Sequence, residues 1–225
     1  MTETVIGWCN TWAQAGFAFP APRLLDDARV SPALQGRVIE IRSAVDVTLR
    51  YDANAPHECT MVEGSRLRQG GFDGLVTSFS AESRRRADVP VVQVALNLVF
   101  VTDADCALTL MPAFLADGPR DWPGPLVAGR FPLRSWPRPL NLAIEWEDTA
   151  RDWVLRRGEP VAYVLVETPD PDAVLHLVEA AATPALQRHR KGIDAVASLS
   201  RNVQPMFLRA ERHRPATLLT PKELS

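Results

Sequence analysis

Residues Val91–Val101 read Val-Val-Gln-Val-Ala-Leu-Asn-Leu-Val-Phe-Val. The run is apolar on both of its faces and rich in β-branched side chains. It is bounded by Pro90 on one side and by the turn-forming Thr102-Asp103-Ala104-Asp105 on the other. Such a run reads as a central strand buried on both sides. Working outward, Val45–Tyr51 alternates, with Val45, Val47, Leu49 and Tyr51 on one face. Arg37–Arg42 is less regular: Ile39 and Ile41 form its apolar face, and Val38, Glu40 and Arg42 lie opposite. Cys106–Met111, Leu126–Phe131, Leu140–Trp146 and Val161–Glu167 are further strand candidates.

Prolines punctuate these runs at Pro20, Pro22, Pro112, Pro119, Pro123, Pro125, Pro132, Pro137 and Pro139. Proline fixes φ and lacks a donor, so none of these stretches suits a helix interior or a central strand. Short strands with turn signals between them predict a mainly-β fold: a β-sandwich, jelly roll or barrel.

Helical signals gather near the end. Thr183-Pro184 suits an N-cap and first turn. Leu186, Ile193, Val196 and Ala197 follow at helical spacing, which predicts a helix over about 183–203 with Pro205 ending it. Ala173–Glu179 suits helix and strand equally. Residues 211–225 are charged and proline-punctuated, and predict an extended tail or partner-binding arm after a single domain over 1–210.

The 225 residues carry 25 basic and 27 acidic side chains, a net charge of −2. That balance offers no global field for phosphate backbones or anionic membranes, and argues against a nucleic-acid partner. The three cysteines, Cys9, Cys59 and Cys106, are odd in number and widely spaced, which suits a reducing, cytoplasmic setting. No apolar stretch reaches the length of a membrane span. The stretch MTETVIGWCNTWAQ lacks the basic region of a signal peptide.

Five groups carry potential chemistry. Trp136-Pro137-Arg138-Pro139 is a stiff loop bearing an aromatic and a cation, close in sequence to Trp146, Trp153 and Gly158-Glu159-Pro160. It reads as a binding surface of Trp136, Arg134, Arg138 and Glu159, with Trp136 as anchor and the arginines as anion donors. The competing reading is a hairpin corner in which the tryptophan packs on the sheet. His57-Glu58-Cys59 offers His57 and Cys59 as a metal pair; its competitor is a loop histidine beside a half-buried thiol. Asp103 and Asp105 suit acid–base or cation chemistry, or simply a turn. Arg84-Arg85-Arg86, flanked by Glu82 and Asp88, reads as an anion contact or a solvated face. Ser65 and the cysteines are the available nucleophiles, but no nucleophile elbow, P-loop, GxGxxG or HExxH accompanies them.

The order of an apolar strand ending Phe100/Thr102, a proline-rich connection, Gly129/Pro132, Trp136/Arg138/Pro139, the strand Asn141–Trp146 and Gly158–Pro160 resembles an uncharacterised family of bacterial and phage domains, over roughly residues 91–200. That resemblance implies no activity and no catalytic residue. At the level of fold alone, the glycine turn followed by an apolar strand is similar to the dUTPase and dCTP-deaminase barrel. The chain lacks that family's glycine-rich C-terminal phosphate motif and its Gly-x-x-Asp substrate loop.

These observations predict a non-catalytic binding or structural module with a protein partner or a second copy of itself, exposing an apolar patch around Trp136 and Leu218-Leu219. The alternative is an enzyme, or a small-molecule or metal-binding protein, with its site at the mouth of the β fold. There His57, Cys59, Asp103 or Asp105, and Arg134 or Arg138 would converge. A third reading places nucleic acid along Arg188, Arg190, Lys191 and Arg201. The sequence assigns no cofactor.

Overall fold

Residues 91–101 form two strands rather than one. Asn97 has a φ of 55°, in the left-handed region that asparagine tolerates better than most residues. The backbone turns there, separating β7 (Val91–Ala95) from β8 (Leu98–Val101) and sending them into different sheets. Apolarity on both faces marked the burial correctly but could not reveal the break.

The computed structural model describes residues 2–11, 19–67, 69–116, 121–136, 138–197 and 204–222. Trp12, Pro119, Pro137 and Arg201 lie outside the described residues, as do the side chains of Ile193, Val196 and Ala197. The chain begins with β1 (Glu3–Asn10), β2 (Arg23–Leu24), β3 (Val38–Arg42), β4 (Val47–Tyr51) and β5 (Cys59–Met61). A short helix, α1 (Gln69–Leu75), leads into β6 (Val76–Ser78). After β7 and β8 come β9 (Ala107–Pro112), β10 (Gly129–Pro132), β11 (Asn141–Glu145), β12 (Trp153–Leu155), β13 (Pro160–Glu167) and β14 (Val174–Glu179). Two helices follow, α2 (Pro184–Ala197) and α3 (Gln204–Arg212).

The fold is mainly β and sandwich-like, with no closed barrel. One sheet runs β10-β9-β13-β3-β2, and three-stranded sheets run β14-β1-β8, β11-β7-β6 and β12-β4-β5. Ile39, Ile41, Leu108, Leu110, Val164 and Val166 project from the five-stranded sheet into the main core. They meet Val47, Leu49, Val92, Val94, Leu142 and Ile144 from the two sheets that pair through β4 and β7. Trp146 and Trp153 are fully buried pillars of this core, and Trp122 stacks edge-on to Trp153 at 5.6 Å. The alternation of β3 and β13 gives the five-stranded sheet a second apolar face. There Val38 and Tyr163 pack with Leu25, Val30 and Ala113.

The ambiguous segment 173–179 is a strand, β14, parallel to β1. Pro205 does not end a helix but sits in the first turn of α3, where its missing N–H leaves no helical bond unmade. The segment expected to form an extended tail or partner-binding arm lies against the rest of the chain over residues 214–222. Ala180 and Pro221 form a β-bridge, the Ala181 N–H donates to Thr220 O at 2.8 Å, and the Lys222 N–H donates to Glu179 O at 2.8 Å. Leu218 is buried among Cys9, Val99, Val101, Ala180 and Leu186. Among the described residues, no helix is long and apolar enough to cross a membrane.

Candidate binding cleft

The C-terminal helices are built from local signals and held by distant ones. The Thr183 hydroxyl caps α2, accepting the Leu186 N–H at 3.2 Å, and the Gln187 N–H donates to Thr183 O at 2.9 Å. Leu186 faces the small core beneath. On α3, Ala210 is buried, Phe207 stacks on Trp136 with ring centroids 5.0 Å apart, and Glu211 lies 3.8 Å from Arg134 Nε.

Beyond α3, the side chain of Arg214 is only 3% exposed. Its guanidinium donates to the Thr102 carbonyl, to Pro215 O at 3.2 Å and to Asp103 Oδ1 at 3.4 Å. Asp103 Oδ1 also accepts the Leu218 N–H at 2.8 Å.

Between α2 and α3 lies a cleft of about 400 Å³, lined by Ala185, Arg188, His189, Arg209, Ala210, His213 and Pro215. Ala185, Arg188 and His189 share one helical face by their spacing, and Arg209 and His213 lie one turn apart on and just after α3. No carboxylate is among these lining residues. Asp103 and Glu211 are turned to Arg214 and Arg134. Burial, reinforced by the Arg214 charge, holds the His189 imidazole below its ordinary pKa. The cleft thus presents two guanidinium groups and two imidazoles, a donor-rich lining suited to an anionic group.

The residues singled out in the sequence are dispersed. Trp136 is covered by this chain's own Phe207 and by Phe131, at 4.7 Å, with the Arg138 guanidinium 5.7 Å from the ring centre. The expected apolar patch is therefore filled from within: Trp136 is half-buried and Leu218 is buried. Glu159 is exposed at the turn that opens β13, with its carbonyl bonded to the Ser43 N–H. The Trp136 loop follows β10, whose Pro132 pairs with Ala107, which in turn pairs with Glu167 at the far end of β13. At roughly 3.3 Å per residue, the length of β13 separates Glu159 from that loop.

His57 stacks against Phe72 at 6.1 Å, and Cys59 is a core side chain on β5. Burial, helped by the Glu58 charge, pushes the Cys59 thiol up to about 12. Among the described residues no group of three or more His, Cys, Asp and Glu is arranged to hold a metal. Of the residues expected to converge, Cys59 lies on β5 of the β12-β4-β5 sheet with His57 in the turn before it, whereas the turn after β8 that carries Asp103 and Asp105 adjoins the segment after β10 that carries Arg134, the Leu133 N–H donating to Cys106 O at 2.9 Å.

The triple arginine is consumed by ion pairs. Arg84 bonds Glu58 and Phe79 O, Arg85 forks onto Glu145 at 2.7 and 3.0 Å, and Arg86 bridges Glu145 and Glu147. Sequence reading named His189 and His213 only as remote metal ligands and did not single out Arg209. Their helical spacing was visible, but α3 was hidden by taking Pro205 as a terminator.

No protein-family model matches this chain, and no curated protein matches it.

Proposed function

We propose that the protein is a non-catalytic binding module that receives an acidic segment of a protein partner in the α2–α3 cleft. The observation that carries this reading is the placement of Arg188 and Arg209 on its two walls with no carboxylate among the described lining residues. An arginine fork binds a carboxylate in two bonds, and an imidazole on each wall adds a further donor. The half-exposed surface of such a site favours modest, salt-sensitive affinity. The balanced charge of the whole chain favours a compact acidic segment over a nucleic-acid backbone.

Calorimetric titration of a glutamate-rich peptide into the protein at low and moderate salt tests the reading. Saturable binding that weakens with salt and disappears in the Arg188→Glu/Arg209→Glu variant is the expected result. Binding that survives both charge reversals would remove the cleft from consideration.

A further inference from the structure

A second arrangement, on the outer face of the five-stranded sheet, is independent of the α2–α3 cleft. Glu40 is 3% exposed in the middle of β3. Ile39 and Ile41 face the main core, so Glu40 points to the opposite side. It is flanked in register by Arg23 of β2 and Tyr163 of β13. Arg42, two residues along, shares its face.

Arg23 Nε and Arg42 Nε donate to the same carboxylate oxygen, Glu40 Oε1, at 2.8 and 2.7 Å. Arg29, Arg50 and Arg85 instead fork onto both oxygens of Asp27, Asp152 and Glu145. At Glu40 each arginine spends only its Nε–H. Among the described residues, no hydrogen bond engages the terminal Nη groups of Arg23 or Arg42. Burial pushes the Glu40 carboxyl up, but the two arginine bonds outweigh it and hold the group ionised below its ordinary range.

Arg23 and Arg42 line a cavity of about 290 Å³ together with Glu40 and Tyr163, and Asp26 and Asp27 are also part of its lining. That volume is near the lower end of small-molecule sites. Asp27, on the rim, is already forked by Arg29 at 2.8 and 3.0 Å.

We infer that this cavity is a binding site for a small molecule bearing an oxyanion, carboxylate or phosphate, which the Nη groups of Arg23 and Arg42 grip together. Glu40 acts as a positioning residue: it fixes both guanidinium planes before the ligand arrives, so little side-chain freedom is lost on binding. Burial of the carboxylate also explains why an acid is tolerated beside an anion site. Its charge is spent on the two Nε–H groups, and the outward-facing donors remain.

Calorimetry with inorganic phosphate and with succinate, as separate probes, tests the inference. The expected result is saturable one-to-one binding of at least one probe, with the tighter probe naming the anion. Replacing Arg23 and Arg42 together by lysine keeps cations beside Glu40 but removes the forks. It is expected to weaken binding about tenfold or more. A second measurement needs no variant: the bound probe protects Arg23 and Arg42 from butanedione modification, read by mass spectrometry. Absence of saturable binding by either probe, retention of full affinity in the lysine pair, or modification of both arginines unaffected by a saturating probe would each overturn the inference.

Discussion

The Asp103 carboxylate accepts the backbone N–H of Leu218 at 2.8 Å. Arg214, bonded to Thr102 and Asp103, draws the same segment onto the turn after β8. Two chemically ordinary turn residues thereby fasten a stretch of chain far away in sequence, and Leu218 follows into the small core beneath it.

Removing the acceptor loosens that fastening. Asp103→Ala is expected to cost about 1–3 kcal/mol, the range for stranding partners of a charged hydrogen bond. Leu218→Ala is expected to cost about 2–4 kcal/mol through the cavity it leaves. In both variants, hydrogen exchange should quicken first at residues 215–222 and at the Ala181 amide. Uniform acceleration over the whole fold would show that the tail is not separately fastened.

Gly7 tests the fit from the other side. A Cβ there would lie 2.3 Å from Leu219 Cδ1, 2.9 Å from Ala180 Cβ and 3.1 Å from Val101 Cγ1. The tip of Leu219 can swing away, but Ala180 is held by the backbone. Gly7→Ala is therefore expected to destabilise by about 1–3 kcal/mol, measured by urea unfolding. Adding Leu219→Ala should recover part of that loss and not all of it.

Much of the β framework was legible because its cause is local. Val45–Tyr51 alternates, and β4 occupies most of it. The N-terminal strand β1 was not read, since Glu3–Asn10 mixes Gly7 and Asn10 with apolar residues and gains its order from β8 and β14. Asp103 looked like a turn residue and is one; its bond to Leu218 has no signal in either segment alone. Glu40 looked like a polar position on an irregular strand. Its ionised state depends on arginines that two different strands deliver.

Acidification should act through Glu145. The bonds from Arg85, with those from Arg86, hold its carboxyl down to about 2 against the opposing effect of burial. A depressed folded-state pKa contributes stability above the unfolded value of 4.5, and that contribution is lost as pH falls from there toward 2. Arg85→Gln/Arg86→Gln should move the acid-unfolding midpoint upward, followed by circular dichroism. An unchanged midpoint would mean the pair carries no weight in acid stability.

His189 adds a milder slope nearer neutrality. Its depressed pKa means that the folded protein binds this proton less readily than the unfolded chain. Stability should therefore decline as pH drops through 6.5 toward the lower folded value. His189→Gln should flatten that portion of the urea-midpoint profile. An anion in the cleft, near Arg188, Arg209 and His213, should reverse the preference, so that binding takes up protons.

The three thiols should be silent in the native state. Cys9, Cys59 and Cys106 are all buried, and burial raises each pKa, Cys106 to about 11. A disulfide reagent at neutral pH should leave all three unmodified until denaturant is added. Rapid native labelling of any one would expose an opening motion at that strand.

The placement of β1 between β8 and β14 also governs when the protein can become whole. β1 emerges from the ribosome before either strand it pairs with, and β14 is the last of the described strands. Until then the edge of β1 that faces β14 has no permanent partner, although β8 can pair with its other edge earlier. Closing contacts between such remote segments is slow, and an unpaired strand is a template for association with other chains in the interval. The nascent chain accordingly passes through a sticky period that ends only when β14 slides in beside β1. Refolding yield should therefore fall with protein concentration even where the finished fold is stable.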